Sequence, residues 1–217
     1  IAIVEDCAHA IGSKTNSKHV GTFGQSGCFS FYPTKNFTTI EGGMVITNSK
    51  NTADFVRSAR NHGITKTLAS RFSKGKPWDY DIENPGYNYR LDEIRASLGI
   101  NQMKRIKKMN LLRKKVANYY TEKLENVNGV VVPDKSIGTD HVHHLYVIRI
   151  TGKYSITRDM LFNKLLNKGI RTSVHYKPLH MFTAFKKMAK ISGSLSNSKN
   201  AYSQILSLPI YPSISKR

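Results

Sequence analysis

The sequence has few acidic residues, few cysteines and no long apolar stretch, and each shortage excludes a class of protein. Two cysteines among 217 residues, Cys7 and Cys28, exclude a disulfide scaffold and a cysteine-based zinc site. No apolar run approaches the roughly 18 residues that a transmembrane helix needs. Because 39% of the residues are hydrophobic, a packed core is still expected. We predict a soluble, cytoplasmic protein without a metal site.

The shortage of acidic residues leaves a strongly basic chain. It has 34 Lys and Arg against 14 Asp and Glu, a formal charge of +20, which makes nucleic acid a partner to consider. The basic residues are densest over 104–123, where apolar residues recur every three or four positions. This spacing is typical of an amphipathic helix with a solvated basic face. No zinc-finger spacing or aromatic RNA-binding strand accompanies it, so nucleic-acid binding is the less favoured interpretation, and a phosphate-bearing substrate would also suit the charge.

The first half of the chain reads as a set of short strands followed by a helix. Residues 1–4 form an apolar run that predicts a strand buried on both faces and ending in Glu5 and Asp6. Further strands are predicted at 28–32 and 44–47, and a helix from a cap at Asn51 or Thr52 to Arg60. Residues 66–87 lack periodicity and predict a long loop. Because a predicted strand begins at the first residue of the sequence, with nothing before it, we expect the natural protein to begin before Ile1.

The second half predicts a long helix and then a small α/β unit. Apolar spacing from Asp92 supports one long helix or two consecutive ones, ending near Gly129. Strands at 130–132 and 145–150, a helix at 157–168, a strand at 170–175 and a last helix follow. The sequence therefore predicts an α/β protein with two domains, residues 1–110 and residues 111–217.

Three side chains in the first domain could meet at one edge of a sheet. Asp6 ends one predicted strand, Ser30 lies in the next, and Lys35 follows it directly. Ligands of open α/β sheets bind at the carboxyl ends of the strands. An acid, a hydroxyl and an amine are the groups that pyridoxal phosphate requires, for its ring nitrogen, its phosphate and its aldehyde respectively. Spacing alone does not decide this, because a lone loop lysine is usually a solvated one.

The surrounding motifs are more specific. They occur in order along nearly the whole chain: Glu5-Asp6-Cys7-Ala8-His9-Ala10, Phe29-Ser30-Phe31-Tyr32-Pro33-Thr34-Lys35-Asn36, Glu41-Gly42-Gly43-Met44, Arg60-Asn61-His62-Gly63, Pro85-Gly86-Tyr87-Asn88-Tyr89-Arg90, Val174-His175-Tyr176-Lys177-Pro178 and Leu208-Pro209-Ile210-Tyr211-Pro212. This series resembles the DegT/DnrJ/EryC1/StrS family of sugar aminotransferases. The resemblance implies fold type I of the pyridoxal-phosphate enzymes, with part of a large domain built on a mostly parallel sheet and a small C-terminal α/β domain.

The resemblance also implies roles for particular residues. Lys35 would be the Schiff-base lysine and proton carrier, and Asp6 the partner of the pyridine nitrogen. Ser30 would bind the cofactor phosphate, and His9 would lie near the cofactor ring, with a core histidine bonded to backbone as the less favoured alternative. Asn88 matches an asparagine that reaches the cofactor phosphate of the neighbouring subunit, which implies a homodimer with shared sites.

The family transfers an amino group, usually from L-glutamate, to a keto group of a nucleotide-linked hexose. The motifs around Asn88 and His175 look most like members that aminate C4 of UDP-linked 4-keto-6-deoxy sugars, on the route to surface glycans of the pseudaminic acid type. Arg90, His175 and Tyr176 are then candidate substrate contacts, although Arg90 could bond its own helix terminus, and a His-Tyr pair at a strand end is as often structural.

Several alternatives stay open. A sugar dehydratase of the same fold would replace the lysine at position 35, which is present. A catalytically silent regulatory homologue is a further alternative. The family's N-terminal phosphate loop and the aromatic residue that stacks on the pyridine ring would precede Ile1. We therefore expect the 217 residues alone to be an inactive fragment that binds the cofactor weakly or not at all.

Overall fold

The computed structural model describes residues 1–66, 68–73, 77–134 and 138–215. The chain forms two compact units. The first consists of Ile1–Met109 with Gly138–Val142, and the second of Asn110–Ile137 with His143–Arg217. The segment at 138–142 departs from a simple division of the chain at residue 110. It joins the first unit because Thr139–Asp140 pairs with Lys14–Thr15 there.

The first unit contains five strands before its first helix. In chain order its elements are β1 (Val4–Asp6), β2 (Lys14–Thr15), β3 (Lys18–His19), β4 (Ser26–Ser30), β5 (Gly43–Thr47), α1 (Lys50–Ala59), α2 (Leu68–Phe72) and the start of α3 (Glu93–Leu124). Strands β1, β4 and β5 form one sheet in that order. Within it, β1 and β4 are parallel and β5 is antiparallel to β4. This sheet is therefore mixed, because the connection from β4 to β5 reverses the chain without a crossover helix.

Several of the sequence predictions for this unit need correction: the loop predicted at 66–87 contains α2, and the strand predicted at 28–32 is Ser26–Ser30. The first strand is Val4–Asp6 rather than 1–4, since its ladder with β4 begins at Val4 opposite Ser26. It is also not buried on both faces in the described part of the chain, since Val4 is 62% exposed and Asp6 is exposed as well. Helix α1 begins earlier than predicted, because the Ser49 hydroxyl accepts the Thr52 N–H at 3.3 Å and so caps the helix.

The second unit is built around the later part of α3 and an antiparallel sheet. Its further elements are β6 (Val130–Val131), β8 (Tyr146–Ile150), α4 (Arg158–Asn167), a 3-10 turn (Leu179–Met181), α5 (Thr183–Met188), α6 (Ser196–Gln204) and β9 (Ile205–Leu208), while β7 (Thr139–Asp140) belongs to the first unit. The sheet order is β6-β8-β9. Alternate residues of β8 are buried with Ala117 and Leu206, which is the pattern of a strand with one face on a core. The strand predicted at 170–175 is reduced to one bridge, between Ser173 and Ser207 of β9.

A small buried cluster supports the sheet edge of the first unit. Phe31 and Phe37 are each 4% exposed and pack with Ile106 from α3. Their ring centroids lie 4.6 Å apart, with the planes at 69°, an edge-to-face arrangement. The two rings bracket the segment that carries Lys35. Among the helices of the described residues, none is long and apolar enough to cross a membrane.

Candidate active site

Asp6 and Ser30 occupy the same edge and the same face of the first sheet. Strand β1 ends at Asp6 and the parallel strand β4 ends at Ser30, so both residues lie at carboxyl ends. Asp6 is the register partner of Cys28, and side chains alternate along a strand. Asp6, Cys28 and Ser30 therefore project to one side. A carboxylate and a hydroxyl are thus presented together where α/β sheets bind ligands.

Lys35 lies on a turn that directly follows β4. Its N–H donates to the Tyr32 carbonyl at 3.0 Å, which closes the turn. The backbone of Phe31 continues the ladder, because its N–H donates to the Gly42 carbonyl at 2.9 Å and its carbonyl accepts from Thr39 N–H at 3.0 Å. Buried rings hold the segment both before and after the lysine. The amine is therefore carried by a fixed turn and not by a mobile loop.

The electrostatic surroundings of Lys35 link it to Asp6. Burial lowers the pKa of Lys35 below its ordinary value of 10.5, and the negative charge of Asp6 opposes this by raising it. The amine is thus half-buried and near enough to the Asp6 carboxylate for its charge to act on the pKa. A larger fraction of this amine is neutral at neutral pH than for a surface lysine, which is the condition for acting as a nucleophile or a base.

His9 lies on the turn that leaves β1. The Ala8 N–H donates to Asp6 Oδ1 at 3.0 Å and the Ala10 N–H donates to the Cys7 carbonyl at 2.9 Å, so the chain bends sharply after the strand. His9 is half-buried at this bend, three residues beyond Asp6. Its role beside a cofactor ring stays a prediction.

Asn88 and Arg90 lie on the segment between α2 and α3, in the first unit. The segment around them pairs with the end of α1, since Tyr87 N–H donates to the Ala59 carbonyl at 2.6 Å and Tyr89 N–H to the Arg60 carbonyl at 2.9 Å. Arg90 Nε donates to Asn88 Oδ1 at 3.1 Å, and both side chains are exposed. The amide oxygen of Asn88 is thus turned toward Arg90.

His175 and Tyr176 belong to the second unit. His175 Nδ1 lies 2.8 Å from Ser207 Oγ, and Ser207 is 4% exposed. The rings of His175 and Tyr176 are in edge contact, with centroids 4.7 Å apart, and Tyr176 is 62% exposed. A buried serine therefore fixes the orientation of the imidazole, and a contact with substrate stays a prediction for both residues.

Sequence reasoning did not single out two polar residues next to the predicted site. The Glu5 carboxylate accepts backbone N–H groups from residues 16 to 19 positions later. Asn36 is 3% exposed, and its Nδ2 donates to the Val142 carbonyl at 2.9 Å. Adjacency to Asp6 and Lys35 was the signal available in the sequence. Their partners, however, are distant along the chain, so no local pattern identifies them.

The fold is that of the pyridoxal-phosphate-dependent aminotransferases of fold type I. The PseC aminotransferase of Helicobacter pylori, described as involved in pseudaminic acid biosynthesis, superposes with a TM-score of 0.89 at 26% sequence identity, over 100% of this chain and 56% of PseC. The model of the DegT/DnrJ/EryC1/StrS aminotransferase family matches residues 1–217. The chain belongs to that family.

Curated relatives agree with this assignment. The spore coat polysaccharide biosynthesis protein SpsC of Bacillus subtilis is 34% identical over 216 residues, which are 98% of this chain and 56% of SpsC. The UDP-4-amino-4,6-dideoxy-N-acetyl-beta-L-altrosamine transaminase of Campylobacter jejuni is 33% identical over 214 residues, 97% of this chain and 54% of the relative. The chain spans about half the length of the curated relatives it matches. Solved neighbours include pyridoxal-phosphate and pyridoxamine-phosphate forms of a putative sugar aminotransferase from Streptococcus pneumoniae, which identify the family's cofactor.

Proposed function

We propose that this protein transfers an amino group from L-glutamate to the keto group of a nucleotide-linked deoxyhexose, with pyridoxal phosphate as cofactor. The observation that carries the proposal is the half-buried amine of Lys35 under the influence of the Asp6 carboxylate, at the sheet edge where Ser30 ends β4. Family membership supports the reaction class. The name of the Campylobacter jejuni relative supports C4 of a UDP-4-keto-6-deoxy sugar as the acceptor. The name of the Bacillus subtilis relative, a spore coat polysaccharide biosynthesis protein, supports a surface polysaccharide as the product's destination.

The amine of Lys35, the carboxylate of Asp6 and the hydroxyl of Ser30 are groups that suit the aldehyde, the ring nitrogen and the phosphate of the cofactor. Lys35 would hold its aldehyde carbon through Nζ, Asp6 would keep its ring nitrogen protonated, and Ser30 would bond its phosphate. When bound, pyridoxal phosphate supplies a ring that accepts electrons from a bond at the amine-bearing carbon of the substrate. The parallel register of β1 and β4 brings an acid and a hydroxyl to one face, as such a ligand requires.

Lys35 also has the properties of a proton carrier. Burial lowers the pKa of Lys35, so more of Nζ is unprotonated and able to accept a proton than in an exposed lysine. The negative charge of Asp6 opposes this shift and favours the protonated amine. An amine that changes between the two states can take up a proton at one carbon and release it at another.

The remaining site residues complete the proposal. His9 contacts the cofactor ring, and Asn88 donates its amide N–H to the cofactor phosphate of a neighbouring subunit, so the working form is a homodimer. Arg90, His175 and Tyr176 contact the nucleotide sugar. Residues 1–110 then form the C-terminal part of the cofactor domain, and residues 111–217 form the small domain. Cys7 and Cys28 are unpaired thiols, which suits the reducing cytoplasm.

The experiment uses the natural protein that carries this sequence, incubated with pyridoxal phosphate. We expect a visible absorbance band. Borohydride reduction followed by peptide mass spectrometry should then place the cofactor on Lys35. Addition of L-glutamate should convert the cofactor to its pyridoxamine form. Lys35→Ala should lose both behaviours, while Lys108→Ala, an exposed lysine on α3, should keep them. Attachment of the cofactor at a different lysine would refute the assignment.

The acceptor is tested by supplying nucleotide keto-sugars to the pyridoxamine form. We expect turnover with a UDP-4-keto-6-deoxy sugar and at least tenfold weaker turnover with a 3-keto or a dTDP-linked analogue, about the discrimination that 1.4 kcal/mol of contacts provides. Cofactor binding without turnover on any keto-sugar would instead favour a regulatory homologue.

A further inference from the structure

The carboxylate of Glu5 is bound by the backbone of the glycine-rich loop that precedes β4. Oε1 accepts the N–H of Phe23 at 2.6 Å and of Gly24 at 2.7 Å, and Oε2 accepts the N–H of Gly21 at 2.6 Å. These three short hydrogen bonds from neighbouring backbone amides surround the carboxylate, so the loop forms a concave anion-binding site. The hydrogen bond from Gly24, joined by those from Gly21 and Phe23, lowers the pKa of Glu5 below 4.5 against the effect of desolvation.

The bound loop continues directly into the strand that carries the proposed site. Glu5 is the register partner of Gly27 in β4, two residues after the loop ends at Gln25. Glu5 and Asp6 are consecutive in β1, so their side chains lie on opposite faces. The carboxylate of Glu5 therefore lies on the face of the sheet opposite to Asp6. From that face it holds β4 at one position along β1.

Two glycines, Gly24 in the loop and Gly27 in β4, are packed closely against neighbouring backbone. A Cβ added to Gly24 would lie 2.5 Å from the Ile3 carbonyl oxygen, and one added to Gly27 would lie 2.3 Å from Gly21 Cα. The Gln25 N–H also donates to the Ile3 carbonyl at 2.8 Å. Because loop and strands are packed backbone against backbone, a displacement of the loop is transmitted to β4.

We propose that Glu5 is a positioning residue of the active site: its carboxylate, bound to the Gly21, Phe23 and Gly24 amides, sets the register of β1 on β4 and thereby the placement of Asp6 relative to Lys35. This rests on the proposed function for its catalytic meaning. The structural part of the proposal is that Glu5 fixes the register of β1 on β4 and thereby the surroundings of Lys35. This part applies to the chain without cofactor.

Two substitutions separate the contributions of shape and charge. Glu5→Gln keeps an oxygen for two of the three amides but turns an NH2 group toward the third, so a donor faces a donor. Glu5→Ala leaves all three amides without their acceptor. The matched controls are Glu122→Gln and Glu122→Ala, since Glu122 is an exposed acid on α3 whose side chain pairs with Lys123 at the surface.

The deciding measurement uses the 217-residue chain without cofactor. Hydrogen exchange of peptides spanning 20–30 should accelerate about tenfold or more in Glu5→Ala, since bonds to charged acceptors are among the stronger ones, and by less in Glu5→Gln. The pH dependence of Lys35 modification by an amine reagent should shift toward that of an ordinary lysine in the same order. Neither change is expected in the Glu122 variants.

A merely structural role gives a different result. Glu5→Ala would then lower the unfolding midpoint while the folded chain kept the wild-type pH profile of Lys35 modification, and the proposal would be overturned. In the natural protein with cofactor, we expect the pH midpoint of the cofactor's absorbance to move in Glu5→Ala. Absence of any cofactor uptake by the wild type would refute the proposed function, while the exchange and modification data would still decide the role of Glu5.

Discussion

Replacing Phe37 with alanine should destabilise the first unit and disturb the turn that carries Lys35. Phe37 is 4% exposed and its ring meets the edge of Phe31. Burial of a phenylalanine in a core makes its replacement by alanine cost about 3–5 kcal/mol, which includes the cavity left behind. An aromatic pair contributes about 0.5–1.5 kcal/mol beyond its buried area.

We expect a loss near the upper half of that range, about 4 kcal/mol. The backbone on both sides of the ring is fixed by hydrogen bonds of Phe31 to Gly42 and Thr39, so the turn has little freedom to collapse into the cavity. Phe31→Ala should have a similar effect. The double substitution should cost less than the sum, because the two rings share one contact.

The assay is urea denaturation of the 217-residue chain, followed by circular dichroism and by hydrogen exchange of peptides spanning 31–42. Phe55→Ala on α1 is the matched control, because Phe55 is 60% exposed and its removal should change stability by no more than about 0.5 kcal/mol. Phe37→Ala should also make the pH profile of Lys35 modification resemble that of a surface lysine. A loss under about 1 kcal/mol with an unchanged Lys35 profile would refute the reasoning.

Two further predictions concern charge and backbone. Asp6→Asn should lower the pKa of Lys35 further, because the substitution removes the negative charge that raises this pKa. The rate at which an amine reagent modifies Lys35 between pH 6 and 10 should therefore increase. A decrease in that rate would contradict the expected direction. Gly63→Ala should destabilise the first unit by about 2 kcal/mol or more, since Gly63 has φ +78° and an added Cβ would lie 1.9 Å from the Asn84 carbonyl oxygen. Gly152→Ala, with no atom within 4 Å of its added Cβ, is the control and should melt like the wild type.

The sequence predicted correctly some of the helix ends that depend on residues within a few positions of the end. Helix α4 begins after Thr157, whose hydroxyl accepts the Met160 N–H at 3.3 Å, and the predicted end at residue 168, before Gly169, lies one residue beyond the observed end at Asn167. Both signals lie within a few residues of the helix end, so they can be read without the fold. The limits of β1 could not be read this way, because its ladder depends on a partner 22 residues later, where Ser26 pairs with Val4.

The same distinction applies to the candidate site. Strand order predicts that Asp6 and Ser30 reach one sheet edge, and the structure has them there. The supporting groups depend on long-range contacts: Asn36 bonds the carbonyl of Val142, 106 positions later. Hydrophobic periodicity carries no information about such a bond. The roles of the site residues toward cofactor and substrate stay predictions.

The topology of the first sheet explains why a lysine at position 35 can face Asp6 at all. Strand β4 ends at Ser30, and β5 begins at Gly43, which pairs with Ser30 itself. The connecting residues 31–42 must therefore leave and re-enter the sheet at one edge, and the parallel register of β1 and β4 brings Asp6 to that same edge. On this connection Asn36 and Thr39 are buried as well, while Lys35 is half-buried. The chain path therefore brings the lysine to the sheet edge where Asp6 ends β1, and burial lowers the pKa of its amine while Asp6 raises it.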